Sequence, residues 1–285
     1  MRSLLFVPGD RPERFAKAQS AGADAVIVDL EDAVTATTRP QARTNAARFL
    51  REGDRNRPVW VRINPVQTGD ALPDLASIVA ARPDGIVLPK ALTGADLQRL
   101  DHWLEALEAQ YGHVAGSIKV IALITETAQA VLSGSSFITP PARVIGYTWG
   151  AEDLAADVGA SANRSADGEF EHTFRLARAQ CLLVAAAAGV GAYDTTDTEF
   201  RDLAAIERHA QAARRDGFVG KLAIHPAQVE PIHRAFAPTA DEIAWARKVV
   251  ELMSGAAGAV ALDGRMIDRP HVQQAERILA SLERG

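Results

Sequence analysis

The sequence predicts a (β/α)8 TIM barrel with a C-terminal helical extension, and three observations carry the barrel. Short β-rich runs alternate with helical stretches, and the alternation repeats eight times. The runs are mostly continuous in apolar residues, as strands buried on both faces are. The main competitor is a doubly wound open sheet, but no Gly-rich dinucleotide fingerprint follows any run.

Taken in order, SLLFVP (3–8) leads into RPERFAKAQSAG, whose apolar residues recur at helical spacing and which stops at Gly22. DAVIVDL (24–30) is followed by the helix-like PQARTNAARFL, then VWVRIN (59–64) and GIVLPK (85–90). GADLQRLDHWLEALEAQYG supplies a long helix before KVIALI (119–124), and RVIGYTWG (143–150) comes next. GAYDTT (191–196), the helix-like TEFRDLAAIERHAQAARRDG and KLAIHP (221–226) complete the alternation. A barrel over 1–236 then leaves 237–285 as an extension. That extension holds a helical stretch (239–255), the short AGAVALDGRMID and a last helix from Pro270, the favoured first helical residue. It reads either as an extra helix pair or as a lid reaching an active site.

Composition narrows the class. The 285 residues are 47% hydrophobic, and no apolar run reaches the roughly eighteen residues that span a membrane. The N-terminal LLFVP is too short for a signal-peptide core. The single Cys181 lies in the apolar AQCLLVAAAAGV, which excludes a disulfide framework and points to a reducing cytoplasm. A net charge of −5 with both signs mixed argues against nonspecific nucleic-acid binding.

The C-terminal ends of the runs carry the chemistry, because that rim is where α/β barrels build active sites. The second run ends in Asp29, Glu31 and Asp32; the third carries Arg62 and Asn64; the fourth ends in Lys90. Glu126 follows the fifth, Glu152 and Asp153 the sixth, Asp194 and Asp197 the seventh, and His225 the eighth. The run starts, including Ser3, Asp24, Lys119, Arg143 and Lys221, read as a solvent-facing opposite rim. So many acids with few cations would repel one another without a divalent ion, and Glu126 with Asp153 is the kind of hard-oxygen pair that Mg²⁺ takes. The plainer reading puts both acids in the first turns of helices, where the macrodipole favours them. Arg62 interrupts a buried run, so it needs a carboxylate: Asp29 or Glu31, or the substrate's own. Lys90 is either a Schiff-base nucleophile or an ion-pairing group behind the acids, and a metal-binding pair favours the second. His225, before Pro226, reads as a satisfied rim histidine. Tyr147, Thr148 and Trp149 are expected to shape the pocket.

RSLLFVPGDRPERFAKA, DAVIVDLEDAV, VRIN, GIVLPK, ITETA, GAEDLAADVGA, GKLAIHPAQV and DGRMIDRP occur in that order. Over essentially the whole chain they resemble the citrate lyase beta-subunit-like family of CoA ester lyases. The resemblance implies a TIM barrel assembled as a trimer or hexamer that cleaves or forms 3-hydroxyacyl-CoA thioesters with Mg²⁺. It implies Glu126 and Asp153 as metal ligands and Arg62 as the oxo-acid binder, with Glu152 beside them at the substrate. Asp29, Glu31, Asp32 and Lys90 support that set from behind. Arg11, Arg14 and Lys17 lie where relatives contact the CoA phosphates. Asp268, in the MID segment, is implied as an acid/base delivered by the lid to a neighbouring subunit; a helix N-cap before Pro270 is its plainer reading. A metal-dependent aldolase on free hydroxy-oxo acids, and a citrate lyase subunit acting on a carrier-bound thioester, remain as alternatives.

Overall fold

Eight parallel strands close on themselves in chain order in the computed structural model, which describes residues 1–254 and 258–282. They are β1 (Ser3–Pro8), β2 (Ala25–Asp29), β3 (Val59–Arg62), β4 (Gly85–Leu88), β5 (Lys119–Leu123), β6 (Val144–Thr148), β7 (Gly191–Asp194) and β8 (Gly220–Ala223). β1 pairs with both β2 and β8, so no edge is left in the ring. Each run named from the sequence overlaps one strand, and most strands stop earlier than their runs. The residues beyond the last ladder pair turn out of the sheet and build the rim.

Register sets the level of that rim. Pro8 stands opposite Asp29 and Asp29 opposite Arg62, while Leu123 meets Thr148 and Asp194 meets Lys221. Below it the barrel is filled rather than hollow: Leu4, Ile27, Trp60, Val87, Ile121, Tyr193 and Leu222 form one buried cluster, with Phe6 packed against it. Trp60 needs Gly85 beside it, since a Cβ there would stand 2.3 Å from the indole. Burying each large side chain is worth about 1.5–3 kcal/mol.

The helical layer comprises α1 (Phe15–Ser20), α2 (Arg39–Glu52), α3 (Ala71–Ile78), α4 (Gly94–Tyr111), α5 (Ala128–Leu132), α6 (Ala151–Val158), α7 (His172–Ala188), α8 (Leu203–Asp216) and α9 (Val229–Phe236). α4 starts on a capping box between Thr93 and Asp96, which satisfies donors at its first turn. α7 buries Phe174, Ala177, Cys181, Val184 and Ala185 at three- and four-residue spacing. Cys181 is thus a core residue, and burial pushes its thiol well above the usual range. Among the described residues no helix is long and apolar enough to cross a membrane.

The strand starts depart from expectation. Ser3, Arg143 and Lys221 are buried rather than solvent-facing. Each has found a partner: Ser3 Oγ lies 2.7 Å from His233 Nε2, Arg143 forks onto Glu108 at 3.0 Å, and Lys221 Nζ donates to the Thr195 carbonyl at 2.6 Å. Charge at a strand start is no guide to exposure where a neighbouring element supplies the counter-charge.

Phe236–Gly285 forms a second compact unit. Thr239 caps α10 (Ala240–Met253), an Asp263–Gly264 turn joins β9 (Val260–Leu262) to β10 (Arg265–Ile267), and α11 (Arg269–Leu282) follows. Ala246, Val249, Ile267 and Ala275 make its core. Residues 255 and 257, within the stretches expected from sequence, lie outside the described residues.

Candidate active site

One step of the β2–β3 ladder places Asp29 beside Arg62. Arg62 Nε donates to Asp29 Oδ1 at 2.7 Å and Nη2 to Oδ2 at 2.6 Å, while Nη1 reaches Glu31 Oε2 at 3.1 Å and Asp32 Oδ2 at 3.7 Å. The Asp29 oxygens also accept from the Glu31 and Ala33 backbone N–H groups, each at 3.0 Å, and so fold the following loop back over the rim. Burial opposes the guanidinium charge, but Asp29, Glu31 and Asp32 outweigh it and raise its pKa further. Arg62 therefore satisfies the internal reading of its buried charge: its fork is occupied by Asp29. It still lines the cavity, with its guanidinium over the Phe6 ring at 4.8 Å.

Lys90 closes the cluster from β4. Its ammonium touches Glu31, lies 3.1 Å from Asp32 Oδ1 and 3.2 Å from Asp153 Oδ1. Burial works against its charge, and Glu31, Asp153 and Asp32 more than offset that, so its pKa is raised above the usual lysine range. An ammonium held this way is ion-paired, and its raised pKa disfavours the free amine that a Schiff base needs.

Glu126 and Asp153 differ in how they arrive. Asp153 and Glu152 sit in the first turn of α6, as the plainer helix-dipole reading expects. Glu126 precedes the α5 N-cap Thr127 and belongs to no helical turn. It is 2% exposed, accepts from the Lys90 backbone N–H at 2.6 Å, and has its pKa raised well above the carboxylate range. Burial is the main cause, and the charges of Asp153 and Glu31 add to it. Glu31 itself is pushed up to about 7, by burial first and then by Asp32, with Arg62 and Lys90 pulling the other way.

A cavity of about 260 Å³ lies over these groups. Asp29, Asp32, Arg62, Glu126 and Asp153 supply its charged lining, and Phe6, Leu123, Trp149, Leu222 and Ile224 its apolar lining. Asp29, Glu31, Asp32 and Asp153 share the two cations Arg62 and Lys90, and Glu126 lies in the field of Asp153 and Glu31, so the donor set is hard, anionic and fits a divalent cation between Glu126 and Asp153. No group of three or more metal-type ligands gathers among the described residues. A two-carboxylate set leaves the other coordination positions to water and substrate.

Other expected residues stand apart from this cluster. Glu152 is exposed at the cavity and accepts from Asn163 Nδ2 at 2.8 Å. Arg11, Arg14 and Lys17 are exposed on the turn and helix after β1. Asp268 belongs to the second unit, where its Oδ1 lies 2.6 Å from His271 Nδ1. His225 caps a short 3-10 turn and stacks on Phe200, as a rim histidine should.

Asp194 and Asp197 do not add to the uncompensated charge. Asp194 accepts from Trp149 Nε1 at 2.8 Å and pairs with Arg178 and Lys221; Asp197 pairs with Arg164, His209 and Lys221. Lys221 opens its run and reads from the sequence as solvent-facing, so this pairing carried no sequence signal. Tyr147 also turns away from the cavity and donates to the Phe137 carbonyl at 2.7 Å, and Thr148 is fully buried, leaving Trp149 on the cavity wall. Phe6, beneath Arg62, carried no polar signal and was missed.

Barrel and rim together define a carbon–carbon bond lyase of the TIM-barrel fold, and a family model of that description matches residues 175–283. The chain belongs to the HpcH/HpaI aldolase/citrate lyase family, whose model matches residues 2–226, and it is an enzyme of that lyase class. It is 37% identical over 275 residues to a citrate lyase subunit beta-like protein of Mycobacterium tuberculosis, covering 96% of this chain and 93% of that one. It is 31% identical to a (3S)-malyl-CoA thioesterase of Cereibacter sphaeroides over 99% of this chain and 94% of the other. Among solved structures, CitE of M. tuberculosis in complex with magnesium, acetoacetate and coenzyme A superposes with a TM-score of 0.81 at 35% identity, covering 98% of this chain and 97% of that one.

Proposed function

We propose that this protein is a Mg²⁺-dependent lyase that cleaves or forms the carbon–carbon bond of a 3-hydroxyacyl-CoA thioester such as malyl-, citramalyl- or citryl-CoA, giving an acyl-CoA and an oxo-acid. The observation that carries the reading is the buried, uncompensated Glu126 facing Asp153 at the edge of the cavity that Arg62 lines. The magnesium, acetoacetate and coenzyme A held by the M. tuberculosis relative support it.

Glu126 and Asp153 hold the ion. When bound, Mg²⁺ supplies Lewis acidity toward the oxygens of the oxo-acid end. Arg62, aimed by Asp29, donates from its remaining N–H groups to the oxygen on which negative charge grows. Asp268, carried by the lid of an adjacent subunit of a homotrimer or hexamer, takes the hydroxyl proton. The C–C electron pair then passes to the thioester α-carbon as the oxo-acid carbonyl forms, and a proton returns to that carbon. Glu152 borders the substrate, and Glu31, Asp32 and Lys90 fix the charges behind it. Arg11, Arg14 and Lys17 meet the CoA phosphates. The buried single thiol of Cys181 supports a cytoplasmic setting.

The test is cleavage of malyl-CoA, citramalyl-CoA and free citramalate by the purified protein, with Mg²⁺ and with chelator. Metal-dependent release of an acyl-CoA and an oxo-acid from one thioester is the expected result. Turnover of the free acid alone transfers the assignment to an aldolase, and silence on all three transfers it to a carrier-bound thioester.

A further inference from the structure

We propose that Lys90 is the positioning residue of the Glu126–Asp153 pair and sets its affinity for a divalent cation, an inference that rests on the metal-dependent reading above. Lys90 touches both carboxylates through different atoms. Its backbone N–H donates to Glu126 Oε2 at 2.6 Å, and its ammonium lies 3.2 Å from Asp153 Oδ1. The backbone pays for this arrangement in strain: Lys90 has φ +50°, a left-handed conformation that non-glycine residues seldom adopt. That geometry lets one residue send its N–H to the fifth strand's acid and its side chain to the sixth's.

The same ammonium contacts Glu31 and Asp32, so it sits among three of the rim acids. A cation on Asp153 meets a fixed positive charge a few ångströms away, and the two repel through a half-buried medium that screens less than water. Lys90 therefore acts in two directions. It steadies the carboxylates against their mutual repulsion, and it would weaken their hold on a divalent ion. If Lys90 only held the carboxylates in place, its removal would misplace them and weaken metal binding rather than strengthen it.

The experiment is calorimetric titration of the full chain with Mg²⁺ and with Mn²⁺, for wild type, K90M, K90G and K90R, alongside thermal melting in chelator. K90M removes the ammonium; K90G removes it and also relieves the left-handed backbone, which keeps the test open if K90M folds poorly; K90R retains the charge. Both neutral variants are expected to bind the ions about tenfold more tightly than wild type and to melt lower in chelator, with K90R near wild type in affinity. Wild-type or weaker affinity in folded K90M and K90G overturns the inference while leaving the metal site standing. Failure of wild type to bind either ion overturns the metal-dependent reading and this inference with it.

Discussion

Glu126 packs directly against the α-carbon of Gly150: a Cβ on Gly150 would stand 2.7 Å from Glu126 Cγ and 2.8 Å from its Oε1. The carboxylate is pinned on its other side by the Lys90 N–H, so a methyl group at 150 has to displace Glu126 itself. Gly150→Ala is expected to raise the Mg²⁺ concentration for half-maximal cleavage by roughly 10–100-fold, the scale on which disturbed ligand support acts. Unchanged metal dependence would remove Glu126 from the ligand set.

Glu126→Gln should separate stability from activity. Loss of one electrostatic contributor costs about 10²–10³ in rate, while the amide relieves a buried, repelled carboxylate and raises the melting temperature in chelator. The pH trend follows from the raised pKa values. With Glu126 and Glu31 lifted in the folded state, the fold binds more protons than the unfolded chain above about pH 4.5. Wild-type stability in chelator therefore falls as pH rises toward 7 and through the folded pKa values, and E126Q has a shallower slope. Melting curves from pH 5 to 8 check both signs.

Arg62→Lys cannot reproduce two parallel bonds to Asp29 together with the reach to Glu31. Turnover should drop by about a hundredfold or more. Arg62→Met leaves buried acids unpaired and is expected to cost about 3–5 kcal/mol, read by denaturant unfolding. Near-full activity of R62K would count against any role for Arg62 at the reacting oxygen.

Across the barrel, Lys221 joins Asp194 and Asp197, both 3.3 Å away. Burial raises the Asp197 pKa, but Lys221, His209 and Arg164 outweigh it and hold the group at about 2. A depressed acid stabilises the fold above its unfolded pKa of 3.8 and loses that contribution as pH falls toward 2. Lys221→Met should cost about 3–5 kcal/mol near neutrality and flatten the acid side of the stability profile, seen by circular dichroism between pH 2 and 5.

If Asp268 serves a neighbouring copy, D268N and E126Q are each inactive alone, yet subunit mixing creates sites with both acids intact. Equimolar mixtures, dissociated and reassembled, are expected to recover about a quarter of wild-type rate, since half of the sites keep Glu126 and half of their donating neighbours keep Asp268. No recovery in confirmed mixed oligomers would return Asp268 to its pairing with His271.

The barrel, its strand order and the rim that carries Arg62, Glu126 and Asp153 were legible in the chain's own pattern. Apolar runs and the residues that end them are local properties of the chain, and a parallel βαβ succession has few ways to close. Which charges neutralise which depends on how the chain folds. One ladder step gave the Arg62 fork to Asp29, and another placed Lys221 beside Asp194, removing the seventh strand's acids from the count. Loop closure brought Lys90 to both Glu126 and Asp153, and the absence of a Cβ at Gly150 made room for the carboxylate. These pairings join residues tens of positions apart, and charge has no period along a sequence. Among the described residues, register and burial leave Glu126 without a salt bridge and give Asp153 the Lys90 ammonium that it shares with Glu31 and Asp32.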